Sequence, residues 1–578
     1  MRHRRLATIE RSPGSRAWWV AAFAVLALIA GTCGARAAPA GAAAIPHLAA
    51  CGPAIQLHVD GSPYLMLGGE LTNSASSSPG YMDGVWARLR GMHLNTVLLP
   101  VSWQQIEPRR GAFDFSVLDD MVRSARAHHL HLVLLWFGSW KNSTSSYAPS
   151  WVKRDYRTFP RARLPSGEPT DILSALSAAN VAADSAAFAA LLAHVKRIDG
   201  VAHTILMVQV ENEVGMLEAS REHGAVADAA YAAQVPQTLM AYLATHRATL
   251  RPWLLGVWKQ HGFREHGTWR EVFGAADGGE IFTAWWDARY VNAVARAGKQ
   301  AYDLPMYVNA ALNRPGKRAG EFPSGGPVPR DIDIWKAAAP AIDFLSPDIY
   351  FYNFGHWLDP YHRPDNATFI PETRGVRSGR VAANAAYAFG EDLAMGFSPF
   401  AIDTLSEVAA YRDRIARVYG YLAALSREIL AAQCAGTITG FHSVMTEPGY
   451  AFQSTGPYAG PVDLAPQVRV LGNYRFRIEF DRGDPHGTDA DGQLAGGLLM
   501  ETAPGTFIVA GSGVTLSFGS TAPDAGRTGI DMDWELLPAG NGWRHGRLLN
   551  GDDTVEGRVI RLPPGEWSAQ EFSLYDYR

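Results

Sequence analysis

Between about residues 60 and 405 the chain alternates short apolar, β-branched runs with stretches whose apolar residues recur every three to four positions. A continuous apolar run reads as a strand buried on both faces, and the three-to-four spacing as a helix with one buried side. Eight runs qualify as strands: residues 64–71, 96–100, 132–137, 204–211, 306–310, 344–350, 368–372 and 398–403. Helical spacing occupies 80–92, 116–129, 185–199, 228–250 and 384–393. Such alternation implies parallel strands with crossover helices, and eight units predict a (β/α)8 barrel (TIM barrel) with insertions. A doubly wound open sheet is the rival, but no convincing Gly-rich phosphate turn follows an early strand. Two connections are long, 136–185 and 253–286, and long loops on a barrel's catalytic face wall a pocket.

Past about Ala432 the helical spacing stops. Short alternating runs take over, such as Tyr474-Arg-Phe-Arg-Ile-Glu-Phe480, broken by Gly, Asp and Pro. This predicts a smaller all-β, sandwich-like C-terminal domain. The run Asp489-Ala-Asp491-Gly492 begins like a calcium loop but lacks the distal Glu, so it reads as a turn. At the other end, a basic stretch (1–16) precedes an apolar one (17–30) and the small-residue site Ala35-Arg36-Ala37. That is the layout of a secretory signal peptide, with a retained anchor as the alternative. The expected organisation is a signal peptide over 1–37, a catalytic barrel over 38–430 and a β domain over 431–578. The expected location is periplasmic or secreted, with no membrane association after cleavage.

Composition narrows the partners. A net charge of −4 without a basic block leaves no electrostatic footprint for nucleic acid. Seventeen Trp and 21 Tyr suit sugar stacking and ordinary core packing equally. After cleavage Cys51 and Cys434 would remain, and an oxidising compartment would allow one disulfide. No Cys or His cluster has metal-ligand spacing; His128, His129 and His131 read as solvated or helix-end residues. No metal or cofactor is expected.

The candidate chemistry lies at strand ends. Val-Gln-Val-Glu211-Asn212-Glu213 and Thr-Phe-Ile-Pro-Glu372 each run from apolar residues into a carboxylate. A carboxylate at the C-terminal end of a barrel strand sits on the catalytic face, and two facing carboxylates are what cleavage of a glycosidic bond requires. Glu211 and Glu213, two residues apart on a strand, would point the same way.

Five motifs in order carry a resemblance: Gly68-Gly69-Glu70, Trp103-Gln-Gln-Ile-Glu107-Pro108, Gly111-Ala-Phe113-Asp114-Phe115, Glu211-Asn212-Glu213 and Pro371-Glu372. Together they resemble glycoside hydrolase family 35, mainly β-galactosidases of the clan A barrels. The resemblance implies a retaining, exo-acting enzyme on an oligo- or polysaccharide, with Glu213 as acid/base and Glu372 as nucleophile. It implies Asn212 on the sugar 2-hydroxyl, with a cap on the next helix as the other reading, and Tyr350 (with Arg374 as a second candidate) as donor to Glu372; Glu70 reads as a sugar-hydroxyl acceptor or as a structural ion pair inside the barrel mouth. Trp103 and Trp136 are expected in the pocket floor or the core, and Trp285-Trp286 at the rim. The segments Leu71-Thr72-Asn73 and Leu135–Trp140 depart from the family pattern, which keeps a β-glucoside or β-glucuronide as the alternative substrate. A non-catalytic carbohydrate-binding protein is the alternative of another class. Oligomeric state is left open.

Overall fold

The structure is a computed structural model that describes residues 44–373, 380–445, 462–481, 495–524 and 526–578. The signal-peptide segment, Arg374 and the Asp489–Gly492 run lie outside the described residues.

Residues 45–578 form one compact unit. Its centre is a closed barrel of eight parallel strands. In chain order they are β1 (Met66–Glu70), β2 (Thr96–Ser102), β3 (His131–Lys141) and β4 (Ile205–Asn212), then β5 (Met306–Ala310), β6 (Phe344–Ile349), β7 (Phe369–Thr373) and β8 (Gly396–Pro399). β8 pairs with β1, and β5 with β4, which closes the ring. The strands are buried almost throughout, which explains their continuous apolar reading.

Alternation along the strands sorts side chains into two layers. On β3, Val133, Leu135 and Phe137 point into the barrel with Leu98, Met207, Phe344 and Phe369. Leu132, Leu134 and Trp136 face the surrounding helices. A hairpin before the barrel, Ala54–Val59 with its neighbours, sends Leu57 and Val59 into the inward cluster. Cys51 of that hairpin is bonded to Cys434 of the helix Ser426–Ala435, across 383 residues of chain.

Two expectations about helices are refined. The helix expected over 228–250 is two, Ala225–Ala232 and Gln237–Thr245, because Pro236 cannot continue the first one's hydrogen bonding. The 253–286 insertion contains the helix Pro252–Gln260 and the start of a 33-residue helical stretch, Trp269–Ala301, kinked at Gly274 with φ 83°. Its N-terminus carries a full capping box between Thr268 and Glu271.

The C-terminal part is antiparallel. A six-stranded sheet runs from Ile438–His442 to Gly542–Leu548, and a four-stranded sheet from Gln467–Leu471 to Val559–Leu562. Phe441, Leu499, Phe507 and Phe572 of the first pack on Phe476, Ile478, Leu516 and Ile560 of the second, as in a sandwich. The outer face of the larger sheet adds Leu498, Met500, Ile508 and Ala569 to the core around the barrel.

Candidate active site

The C-terminal ends of the strands bring a set of polar side chains together. β1 ends at Glu70, β4 at Asn212 with Glu213 next; β5 carries Asn309, β6 Asp348 with Tyr350 just beyond, and β7 Glu372. All are buried except Glu213 and Tyr350, which are partly exposed. Carboxylate oxygens of Glu213, Asp348 and Glu372 all lie within 4.8 Å of one another. Among the described residues these three are also the group whose ligand atoms converge closely enough for a metal ion. Two of them already accept hydrogen bonds from protein donors. The Tyr350 hydroxyl donates to Glu372 Oε1, and Asn309 Nδ2 donates to Asp348 Oδ2 at 2.6 Å.

Asn309 also fixes Glu213, because its Oδ1 accepts the Glu213 backbone N–H at 2.9 Å. The Ser143 hydroxyl donates to the Glu213 carbonyl at 2.5 Å. Lys141, at the end of β3, is buried; its Nζ donates to Asn212 Oδ1 at 2.7 Å and lies 4.4 Å from the centre of the Phe137 ring. That bond settles which way the Asn212 amide faces, and its Nδ2 is left without a protein partner. Neither oxygen of the buried Glu70 has a protein partner either.

Electrostatics separates the carboxyls. Burial first, then the charge of Glu372, raises the Glu213 carboxyl to about 7. Lys141, a hydrogen bond with Asp348 and Arg314 oppose that rise. Burial also lifts Glu372 above the ordinary carboxylate range, but Lys141 and the Tyr350 hydroxyl pull it back. Glu70 and Asp348 are pushed well up by burial and by the negative charge of Glu372. The arrangement therefore holds one carboxylate with cationic and hydroxyl support beside others that keep their protons.

Glu211 does not point with Glu213. Both have positive φ, 65° and 47°, on either side of Asn212. Left-handed backbone at a non-glycine residue costs roughly 1–3 kcal/mol and is held only where the surroundings enforce it. Here the enforcing element is a bulge: Trp136 pairs with Val210, but the next pair is Lys141 with Asn212. The broken alternation turns Glu211 away from the cavity, where its Oε2 accepts the Trp140 backbone N–H at 2.9 Å. Burial and then the charge of neighbouring Asp184 push the Glu211 carboxyl well up. Asp184 in turn accepts from Trp136 Nε1 at 2.9 Å, from Ser139 at 2.6 Å and from Tyr290 at 3.0 Å. A Cβ on Gly138 would lie 2.6 Å from Trp136 Nε1 and 2.7 Å from Glu211 Oε1, so this cluster closes only around glycine.

Trp103 and Trp136 do not floor the cavity. Both are fully buried in the core outside the strands, 6.5 Å apart, with their N–H groups bonded to Glu107 and Asp184. The single-residue alternation of β3 puts Trp136 on the helix side and Phe137 on the inside. Trp285 is likewise core, and Trp286 is half-buried, with Arg289 5.8 Å from its ring. His128 Nδ1 and His131 Nδ1 bond the carbonyls of Ser124 and His203 at 2.8 and 3.0 Å. The sequence reading assigned no role to Lys141, Asn309 or Asp348. Asn309 and Asp348 carried the signal that exposed Glu372, a polar residue near the C-terminal end of a buried strand.

Residues 82–261 match the model of glycoside hydrolase family 42, described as beta-galactosidase. Residues 415–561 match a domain of unknown function, DUF5597. No curated protein matches the chain. Among solved structures, a β-galactosidase from the psychrophilic Marinomonas ef1 is similar at 12% identity and TM-score 0.43, over 64% of this chain and 62% of that one. A β-galactosidase from the haloarchaeon Halorubrum lacusprofundi is similar at 16% and 0.40, over 63% and 58%. The catalytic domain of a β-amylase from Paenibacillus polymyxa is similar at 12% and 0.41, over 59% and 93%. The chain thus spans about three fifths of the length of the two β-galactosidases. The family model that matches is that of family 42 rather than family 35, and both descriptions are of β-galactosidases. The matched residues take in β2 to β4 and Glu213, and stop short of Glu372.

Proposed function

We propose that the chain is a secreted, exo-acting, retaining β-glycosidase, with β-galactosides as its substrates. Glu372 is the nucleophile and Glu213 the acid/base. The observation that carries this reading is the approach of the Glu213 and Glu372 carboxylates within 4.8 Å. Retaining glycosidases hold their two carboxyls about 5–5.5 Å apart, whereas inverting ones need about 6.5–9.5 Å for an intervening water. The order of the five sequence motifs supports the finer placement with family 35. The Cys51–Cys434 disulfide supports an oxidising compartment.

In the first step Glu372 attacks the anomeric carbon while Glu213, protonated near neutral pH, gives its proton to the leaving oxygen. In the second, ionised Glu213 takes a proton from water, and that water displaces Glu372 from the sugar with net retention. The Tyr350 hydroxyl steadies the Glu372 carboxylate before attack. Asn212, turned by Lys141, presents Nδ2 to the sugar 2-hydroxyl, and Glu70 meets another hydroxyl.

Lys141 favours a second reading. A buried cation beside the sugar site suits the carboxylate of a β-glucuronide or other uronide. A panel of aryl β-glycosides, followed by proton NMR of the first sugar released, tests both. β-Galactose released first as the β-anomer is the expected result. Faster cleavage of the uronide moves the assignment to the second reading, and an α-anomer as first product contradicts the retaining mechanism.

A further inference from the structure

We infer that Asp348 is a positioning residue for the second half of the reaction, a carboxylic acid that keeps its proton and gives a hydrogen bond to Glu213 while Glu213, ionised, takes a proton from water. This deepens the reading above and rests on it.

The barrel order puts β5 and β6 between β4, which leads to Glu213, and β7, which carries Glu372. Asp348 on β6 lies directly opposite Glu372 in the strand register. On its other side Asn309 of β5 bridges it to Glu213. The Asn309 Nδ2 donates to Asp348 Oδ2 at 2.6 Å, and Asn309 Oδ1 accepts the Glu213 backbone N–H at 2.9 Å. One amide therefore sets both the Asp348 carboxyl and the main chain of the acid/base. It leaves Asp348 Oδ1 buried and without a protein partner. Oxygens of the two carboxyls and of Glu372 lie within 4.8 Å of one another, a gap that a hydrogen bond closes by a small rotation.

Three carboxyls this close do not all ionise. Glu372 has the Tyr350 hydroxyl and the charge of Lys141 in its favour, and Glu213 has Lys141 and Arg314. Asp348 has neither: it is 2% exposed, its donor is a neutral amide, and burial and the charges of Glu372, Glu213 and Glu70 all push its carboxyl up. It is the member of the three that stays an acid. At rest the negative charge belongs to Glu372. When Glu372 is esterified to the sugar and Glu213 has protonated the departing oxygen, that charge has passed to Glu213. Asp348 is then a buried acid beside a buried carboxylate, with one O–H to give. That bond offsets the cost of the Glu213 anion and holds one of its oxygens, which fixes the other for the incoming water. Asp348 itself neither gains nor loses a proton in the cycle.

The test uses the whole chain and 2,4-dinitrophenyl β-galactoside, whose leaving group departs without a proton, so that the second step sets kcat. In Asp348→Ala kcat should fall about tenfold and KM with it, as the glycosyl-enzyme accumulates behind a burst of dinitrophenolate. Asp348→Asn keeps a neutral donor of the same shape and should recover most of that kcat. Equal losses of kcat in the two variants overturn the inference, because they would show that an ionised Asp348 is needed. A loss in kcat/KM without one in kcat, or an unaltered kcat in Asp348→Ala, also overturns it. Each of these leaves the catalytic reading standing. If Asp348→Ala does not fold, Asp348→Asn decides alone, and a kcat more than about tenfold below that of the unaltered chain overturns the inference. An unaltered chain that does not cleave the galactoside overturns the catalytic reading and the inference with it.

Discussion

The two ends of the barrel interior follow opposite rules. At the N-terminal end, Leu57, Met66, Leu98, Leu135, Phe344 and Phe369 pack into a continuous apolar plug. At the C-terminal end, a few residues further along the same strands, Glu70, Asn212, Asn309, Asp348 and Glu372 are as deeply buried. There Glu70, Gln209, Ser346, Ser398 and Asp348 all keep polar atoms without protein partners. Burial without partners is costly, and three carboxyl groups within 4.8 Å of one another make it costly for more than one to ionise. One end is built for stability, and the other gives up stability to hold groups in protonation states that water would not allow.

That contrast makes predictions. Glu372→Gln and Glu213→Gln should each lower kcat/KM on an aryl β-galactoside by roughly 10³-fold or more, with melting temperature unchanged or raised. A drop in melting temperature with activity intact would reverse the roles assigned to this end. Phe344→Ala in the plug should do the opposite, with a loss of about 3–5 kcal/mol in denaturant unfolding and no change in the pH profile of the protein that remains folded.

Lys141→Met sharpens the account of the upper end. The lysine lowers both Glu213 and Glu372, so without it both carboxyls take up protons more readily. Both limbs of the kcat/KM profile should move to higher pH, by about one unit. A downward or one-sided shift would show that Lys141 acts only through Asn212. The smallest effect is on stability. Glu213, Glu222 and Asp533 are raised to about 7 and Asp392 to about 8, mainly by burial. The folded chain therefore binds these protons more tightly than the unfolded one. The stability they confer is present at low pH and lost as pH climbs through 7 and 8. Calorimetry at pH 5.5 and pH 9 should find the lower melting temperature at pH 9.

Much of this was legible in the sequence, for a physical reason. Strands buried on both sides leave nearly unbroken apolar runs, so the eight strands and their two terminal carboxylates stood out. What could not be read was direction. The orientation of Trp136 depends on one step of alternation, and that of Glu211 on a bulge whose extra residues lie on β3, seventy positions away. Asp348 and Asn309 were visible as polar residues in apolar strands, but their link to Glu213 exists only once β4, β5 and β6 lie side by side. Lys141 ends a strand that had been expected to stop at Phe137, so its side chain read as part of a loop.

The most direct test of the central claim is trapping with a 2-deoxy-2-fluoro-β-galactosyl fluoride, followed by peptide mass mapping. The account predicts time-dependent inactivation and a single fluorogalactosyl adduct on Glu372. An adduct on a different residue, or continued turnover of an aryl galactoside with no adduct at all, would contradict it.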